Sequence, residues 1–245
     1  MKNYKLTLSY DGTRYRGWQK QGNTQNTIQQ KLETALSRIL EQPVDVNGSG
    51  RTDAGAHAKM QVASFRTASD MPPEEILKKL RAVLPEDIAA LTLSAAPDRF
   101  HARLSCVGKT YLYRVYNSPV QNVFERKFVY HINEELDLDA MKSAAAVLLG
   151  THDFSAFCSN KRMKRSAVRR VDEIRIECAG PSIEFFVSGN GFLYNMVRII
   201  VGTLIDVGAH RLTAADVAAV LDSRCRENAG HTAPACGLFL YEVYY

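Results

Sequence analysis

The sequence has no long apolar run. Its most apolar stretch, residues 192–209, is interrupted by Asn195, Arg198 and Asp206, whereas a membrane-spanning helix needs about 18 or more uninterrupted apolar residues. The amino-terminal residues MKNYKLTLSYDG contain no apolar signal region and no cleavage-like site, so they do not predict export. We therefore expect no membrane partner and a cytoplasmic location.

Cysteine is scarce and is not arranged for pairing. The 245 residues include five cysteines, an odd number, widely spaced and without a CxxC pair. This pattern favours reduced thiols over a disulfide framework or a zinc site. The six histidines show no HExxH or other ligand spacing, and the sequence therefore predicts no bound metal.

Charge of one sign is not in large excess either. The chain has 31 Lys and Arg against 26 Asp and Glu, a formal net charge of +5, which is compatible with a polyanionic partner but does not require one. Hydrophobic residues make up 46% and charged residues 23%, which excludes global disorder, a collagen-like chain and a small disulfide scaffold. The length suits one large domain or two small ones.

Hydrophobic periodicity in the first third of the chain predicts the order strand, helix, strand, strand, helix, strand. Thr27 and Gln30 predict a capping box for the first helix, and Pro72 and Pro73 mark the start of the second. This βαββαβ order is typical of the split unit of ferredoxin-like folds. The predicted segments are strands at 4–10, 43–48, 60–65 and 88–95, and helices at 27–40 and from 69–73 onward.

The remainder of the chain repeats this alternation of strands and helices. Gly150 is expected to end a helix, and Thr213 with Asp216 to cap a later one. The predicted segments are strands at 111–116, 128–132, 171–178, 183–188 and 238–244, and helices at 138–150, at 194–207 and after residue 213. We predict an α+β fold of two ferredoxin-like halves with antiparallel sheets, residues 1–103 and 104–245, and an active site in the cleft between them.

The segment GSGRTDAGAHA, residues 48–58, is the strongest local signal. Its glycines allow positive φ and close backbone approach, and a tight loop would present Asp53 rigidly, as nucleophilic catalysis requires. Arg51 could orient that carboxylate or bind phosphate. The pattern alone also fits an ordinary surface turn. A Walker A loop is excluded because GxxxxGKS/T is absent.

Two further patterns carry candidate site residues. On a strand, Lys109, Tyr111 and Tyr113 share one face, which suits a phosphate beside a stacked base, although a half-buried strand with an extended lysine would look the same. Arg198 lies in a strongly apolar helix and needs an anionic partner, for which Asp53 is a candidate.

A basic cluster predicts a path for a nucleic-acid backbone. Six basic residues fall within residues 161–170, and Arg14 and Lys20 belong to further basic positions that could line the same path. Lys164 and Arg165 are the candidates within the cluster. The alternative is a solvated loop that contacts no ligand.

Taken together, these motifs resemble the tRNA pseudouridine synthase A (TruA) family. The resemblance covers nearly the whole chain in order. Two small departures are Ala56, which stands where the family usually has a larger aliphatic residue, and Cys236, which lies at a variable position; neither affects the implied chemistry. The motifs that carry it are YDGTRYRGWQKQ, GSGRTDAGAHA, FHAR, KTYLYRVYN, THDFSAF, GNGFLYNMVRIIVGTLIDVG and APACGLFLYEVYY.

The resemblance implies isomerisation of uridine to pseudouridine at positions 38, 39 and 40 of the tRNA anticodon stem-loop. It also implies two ferredoxin-like halves, a homodimer and no required cofactor. By the same resemblance Asp53 is the nucleophile, Tyr111 stacks on the target base and is a candidate for proton transfer, and Arg198 pairs with Asp53. Arg51 would hold RNA and take the space of the extruded nucleotide.

Two other classes of function stay open at this point. A non-catalytic RNA-binding module would keep its function without Asp53. A nucleoside hydrolase or glycosylase would use a similar carboxylate but would release free base, whereas isomerisation leaves the mass of the RNA unchanged. Within the isomerase reading, Asp53 can attack C1′ or remove a proton from C2′, and the sequence does not choose between these routes.

Overall fold

A computed structural model describes residues 1–160 and 166–245 and divides the chain into two compact units. The first unit comprises Met1–Val107 and Phe239–Tyr245, and the second comprises Gly108–Leu238. In chain order the elements are β1 (Lys2–Tyr10), α1 (Ile28–Leu40), β2 (Val46–Gly48), β3 (His57–Thr67), α2 (Pro73–Val83), β4 (Ile88–Ala96), β5 (Gly108–Asn117), β6 (Tyr130–Ile132), α3 (Leu138–Val147), β7 (Gly150–Asp153), β8 (Val168–Ala179), β9 (Ser182–Gly189), α4 (Met196–Gly208), α5 (Ala214–Ser223) and β10 (Leu238–Tyr244).

The first unit is built on an antiparallel sheet with β1 at its centre. β1 pairs with β4 on one side and β3 on the other, β2 pairs antiparallel with β3, and β10 adds to β3 in parallel. The two helices bury the apolar faces that their periodicity predicts. The fully buried helix residues include Ile28, Leu32 and Leu36 of α1 and Ile76 and Leu80 of α2. The predicted βαββαβ element order of residues 1–96 is confirmed.

The second unit has a sheet in the order β6-β5-β9-β8-β7. β5, β9, β8 and β7 are successively antiparallel, and β6 lies parallel to β5. Helix α3 packs against α4 and α5, and almost every residue of α4 is buried. Each unit therefore combines helices with a mostly antiparallel sheet, which confirms the predicted α+β class.

Three local predictions differ from the structure. The helix expected to end at Gly150 stops at Val147, where the N–H groups of Leu148 and Leu149 donate to carbonyls three residues back and the α-helical pattern ends. Gly150, with φ +98°, instead begins the unpredicted strand β7. The final strand, assigned by sequence to residues 104–245, groups with the first unit. The capping box of α1 is half formed: Thr27 accepts from the Gln30 backbone N–H, but the Gln30 side chain donates to Thr34.

The cap of α5 is as predicted, with both halves of the Thr213–Asp216 capping box present. Within residues 1–160 and 166–245, no helix combines the length and apolar character needed to cross a membrane.

Candidate active site

Asp53 lies on the connection between β2 and β3, whose base is anchored by buried polar groups. Ser49 Oγ donates to Gln61 Oε1 at 2.7 Å, and Gln61 Nε2 donates to the Gly50 carbonyl at 3.0 Å. Ser49 and Gln61 are both fully buried. Buried polar groups that satisfy one another in this way rigidify the backbone they connect.

The turn that carries Asp53 is closed by its own backbone. The Ala56 N–H donates to the Asp53 carbonyl at 3.2 Å, and Gly55 has φ +79°. Glycine adopts that conformation without the steric cost that other residues meet. The Asp53 side chain is half-buried, so this turn presents a carboxylate that is partly open to solvent.

A second segment holds this turn from outside. We call residues 11–18, DGTRYRGW, the bracing segment; it follows β1 directly. The Trp18 N–H donates to the Thr52 carbonyl at 3.1 Å, and the Gly55 N–H donates to the Tyr15 carbonyl at 3.3 Å. The backbone is therefore bonded to the bracing segment on both sides of Asp53.

Two glycines allow the bracing segment to come this close. A Cβ on Gly17, which has φ +89°, would lie 2.6 Å from the Thr52 carbonyl oxygen. A Cβ on Gly12 would lie 1.8 Å from the carbonyl oxygen of Ala56. Both neighbours are backbone atoms of the Asp53 turn, so neither can move without moving that turn.

A buried histidine completes the contact between the two segments. His57 is 1% exposed, and its Nδ1 accepts a hydrogen bond from the Gly12 N–H at 3.0 Å. Nδ1 also lies 3.2 Å from Asp11 Oδ1, and the ring stacks on Phe239 with a centroid distance of 4.7 Å. The imidazole thereby ties the end of the Asp53 turn to the start of the bracing segment.

Tyr10, the last residue of β1, supports the turn from below. Its hydroxyl is 2.8 Å from Thr52 Oγ1. Burial raises the pKa of Tyr10 to about 12, because a phenolate would be poorly solvated at this buried position.

The other predicted site residues of the first unit are exposed cations with partners in the protein. Arg51 Nε donates to Gln19 Oε1 at 3.0 Å. Lys20 Nζ lies 3.0 Å from Glu33, a buried carboxylate, and this hydrogen bond raises the pKa of the lysine. Arg14 is 2.7 Å from Asp87. A phosphate that binds Arg14 or Lys20 would have to share the cation with its carboxylate partner or displace that carboxylate.

In the second unit, Tyr111 and Lys109 lie on β5. Tyr111 is buried, with 8% of its surface exposed, and meets the Phe192 ring edge-on at 5.2 Å. Lys109 is half-buried and pairs across the strands with Gly189. Tyr113, on the same side of the strand as these residues by alternation, donates its hydroxyl to the Pro234 carbonyl at 2.7 Å.

Arg198 lies in the first turn of α4 and is held by two oxygens. Its Nε donates to the Ala233 carbonyl at 2.7 Å, and its Nη1 donates to Asn195 Oδ1 at 3.0 Å. Burial raises the pKa of Tyr113 well above its ordinary value, and the Arg198 cation opposes that increase. The positive charge of the half-buried Arg198 guanidinium therefore favours the ionised form of the buried Tyr113 hydroxyl within this unit.

The structure thus places the predicted residues in two groups. Asp53, Arg51, Arg14 and Lys20 belong to the first unit, and Tyr111, Lys109 and Arg198 to the second. Lys164 and Arg165 lie outside the described residues, and the pairing of Arg198 with Asp53 stays a prediction. In the part of the chain that is described, no group of three His, Cys, Asp or Glu residues is arranged to hold a metal ion.

Comparison with known proteins gives matches along the chain. A family model described as tRNA pseudouridine synthase matches residues 7–104 and 144–245. "tRNA pseudouridine synthase A 2" of Clostridium tetani is 44% identical over 245 residues, which are 100% of this chain and 99% of that protein. "tRNA pseudouridine synthase A" of Acetivibrio thermocellus is 44% identical and covered in full, as is this chain. "tRNA pseudouridine synthase A 2" of Bacillus cereus is 43% identical, with 99% of each chain covered.

Proposed function

This chain belongs to the tRNA pseudouridine synthase family, and from that premise we propose that it isomerises uridine to pseudouridine at positions 38, 39 and 40 of the tRNA anticodon stem-loop. The observation that carries the proposal is the turn of Asp53. Its backbone is bonded on both sides to the bracing segment, which is the rigidity that a positioned carboxylate needs to act on a bound nucleotide.

The proposed reaction moves one glycosidic bond and needs no redox change or energy source. The bond from N1 to C1′ breaks, the uracil rotates, C5 bonds to C1′, and C5 then loses its proton while N1 becomes protonated. Ionised Asp53 serves this sequence by attacking C1′ or by removing the C2′ proton. A base stacked within a stem cannot reach the carboxylate, so the nucleotide must flip out.

The other site residues have supporting roles in this proposal. Arg198 pairs with Asp53 and favours its charged form, Tyr111 stacks on the flipped uracil, and Arg51 holds RNA and takes the space that the nucleotide leaves. Arg51 is exposed and its Nε is held by a neutral amide oxygen, so its charge is not neutralised by that contact. The proposed backbone contacts are Lys109, Arg14, Lys20, Lys164 and Arg165.

The wider organisation is proposed on the same basis. We propose two ferredoxin-like halves, divided near residues 103–104, that act as a homodimer in the cytoplasm without a cofactor. The strand order β4-β1-β3-β2 in the first unit supports the ferredoxin-like assignment of the amino-terminal half. The order β5-β9-β8, with α3 after β5 and α4 after β9, supports it for the other half.

Incubation with unmodified tRNA tests the function directly. We expect pseudouridine at positions 38, 39 and 40, mapped by a chemistry that detects pseudouridine, and a tRNA of unchanged mass. Loss of mass by one base would instead indicate a glycosylase or hydrolase. Binding of tRNA with neither change would indicate a non-catalytic RNA-binding module.

Substitutions of Tyr111 test its role at the base. Tyr111→Phe keeps the ring that packs on Phe192 and removes only the hydroxyl. If the hydroxyl transfers a proton, we expect the single-turnover rate to fall by a factor of about 100 or more. If the ring only stacks, Tyr111→Phe should work almost normally and Tyr111→Ala should fail. Near-normal rates in both variants would remove Tyr111 from the site.

A further inference from the structure

Asn195 has an unusual place at the start of α4. It occupies the N-cap position with φ 62° and ψ 6°, in the left-handed region, and its side chain makes no capping hydrogen bond to the helix. An N-cap asparagine ordinarily accepts a hydrogen bond from a backbone N–H of the first turn. Here its Oδ1 accepts from Nη1 of Arg198 at 3.0 Å instead.

The other end of the Asn195 amide is also held. Its Nδ2 donates to Ser159 Oγ at 3.0 Å, and the Ser159 N–H donates to the Tyr194 carbonyl at 3.2 Å. An arginine has no acceptor, so the amide must turn its oxygen to Arg198 and its nitrogen to Ser159. The amide is therefore aligned by contacts at both ends.

The Arg198 side chain is oriented by hydrogen bonds from two of its own nitrogens. Nε is bonded to the Ala233 carbonyl and Nη1 to Asn195. Because the guanidinium is planar, two bonds on different nitrogens define the plane in which its other N–H groups point. Both acceptors are neutral, so they orient the cation without cancelling its charge.

We propose that Asn195 is a positioning residue for the reaction, which orients the Arg198 guanidinium through Oδ1 and leaves its positive charge available to the catalytic carboxylate. The inference rests on the proposed role of Arg198 beside Asp53. It explains why an N-cap asparagine gives up the capping bond. It also explains why the acceptor is an amide, since a carboxylate there would compete for the same cation.

Asn195→Gly is the direct test, because glycine adopts the left-handed conformation without strain and removes only the side chain. We expect kcat for pseudouridine formation to fall about tenfold, the scale of one hydrogen bond to a charged group, with KM for tRNA within about twofold. Glu41→Gly is the matched control, since Glu41 also has a left-handed backbone, φ 54°, at the end of α1. It should leave both constants unchanged.

Asn195→Asp separates orientation from simple structural support. Aspartate keeps the shape, the tolerance of left-handed backbone and the acceptor for Arg198, so a merely structural role predicts normal kcat. The positioning role predicts a lower kcat, because the new carboxylate neutralises the guanidinium. If Asn195→Gly loses thermal stability, Asn195→Asp becomes the decisive variant. A normal kcat for Asn195→Asp then overturns the proposal.

A double-mutant cycle with Arg198→Met distinguishes this inference from the proposed function. We expect Asn195→Gly to have no further effect in the Arg198→Met background, because its target is gone. A full additional loss of kcat there would overturn the inference. If Arg198→Met alone retains a normal kcat, the proposed role of Arg198 fails. If Arg198→Met has a low kcat and Asn195→Gly a normal one, only the positioning role of Asn195 is overturned.

Discussion

Asp53→Asn is expected to abolish pseudouridine formation while the protein still folds and binds tRNA. Asparagine preserves the shape of the side chain on a turn whose backbone bonds do not depend on it, but it cannot ionise. It therefore can neither attack C1′ nor remove the C2′ proton. Loss of a nucleophile typically costs about 10⁴-fold or more in rate, and we expect a decrease of that order in single-turnover experiments with saturating protein.

Affinity should respond much less than rate. Most contacts between a protein and a nucleic acid go to phosphate and sugar and position the chain, so the Kd for tRNA should stay within about threefold. Asp45→Asn is the matched control, because Asp45 is an exposed carboxylate close to β2 in the same unit and has no part in the proposed chemistry. A rate for Asp53→Asn within tenfold of the unmodified protein would contradict the assignment of the catalytic group.

Much of the secondary structure could be predicted because it depends on local patterns. The buried faces of α1 and α2 follow the helical period of their own sequences, and the Thr213–Asp216 cap is a four-residue motif. The strand β7 was not predictable in the same way. It has four residues and is defined by its pairing with β8, a contact with a segment that begins 15 positions beyond its end.

The place of β10 shows the same limit at longer range. Its boundaries, Leu238–Tyr244, are those that the strand-forming residues predict. Its partner in the first unit is β3, through Phe239 opposite His57 and Leu240 opposite Ala58. A strand pattern gives no information about which distant strand it joins, so the sequence assigned β10 to the half that precedes it in the chain.

Only the part of the candidate site that has a local sequence pattern was predicted. Asp53 stands in a glycine-rich segment that is conspicuous by itself, and the family resemblance assigns its role. The bracing segment belongs to the motif YDGTRYRGWQKQ, which carries part of the resemblance, but no local pattern in it indicates that it holds the Asp53 turn. Its contact with the Asp53 turn joins residues about 40 positions apart, and the need for glycine at Gly12 and Gly17 becomes apparent only from the backbone atoms that their missing Cβ atoms would meet.

Gly12→Ala is expected to damage both stability and catalysis. The new Cβ would lie 1.8 Å from the Ala56 carbonyl oxygen, much closer than non-bonded atoms allow, and the atom it meets is backbone. Either the bracing segment or the Asp53 turn must therefore move. Overpacking of a buried site costs about 1–3 kcal/mol. A movement of Gly12 would also disturb the hydrogen bond that its N–H donates to His57. We therefore expect a loss near the upper end of that range, about 3 kcal/mol in the free energy of unfolding measured with urea.

Catalysis should suffer beyond this loss of stability, since a shift of about 1 Å in a catalytic group can cost about 100-fold in rate. We expect at least that decrease at a temperature where the variant is still folded. Gly22→Ala is the matched control: Gly22 lies in the same connection between β1 and α1, but an added Cβ there would meet no atom within 4 Å. It should leave stability and rate unchanged. A Gly12→Ala variant with the rate of Gly22→Ala would show that the bracing segment does not position Asp53, and that the turn holds its carboxylate by its own hydrogen bonds.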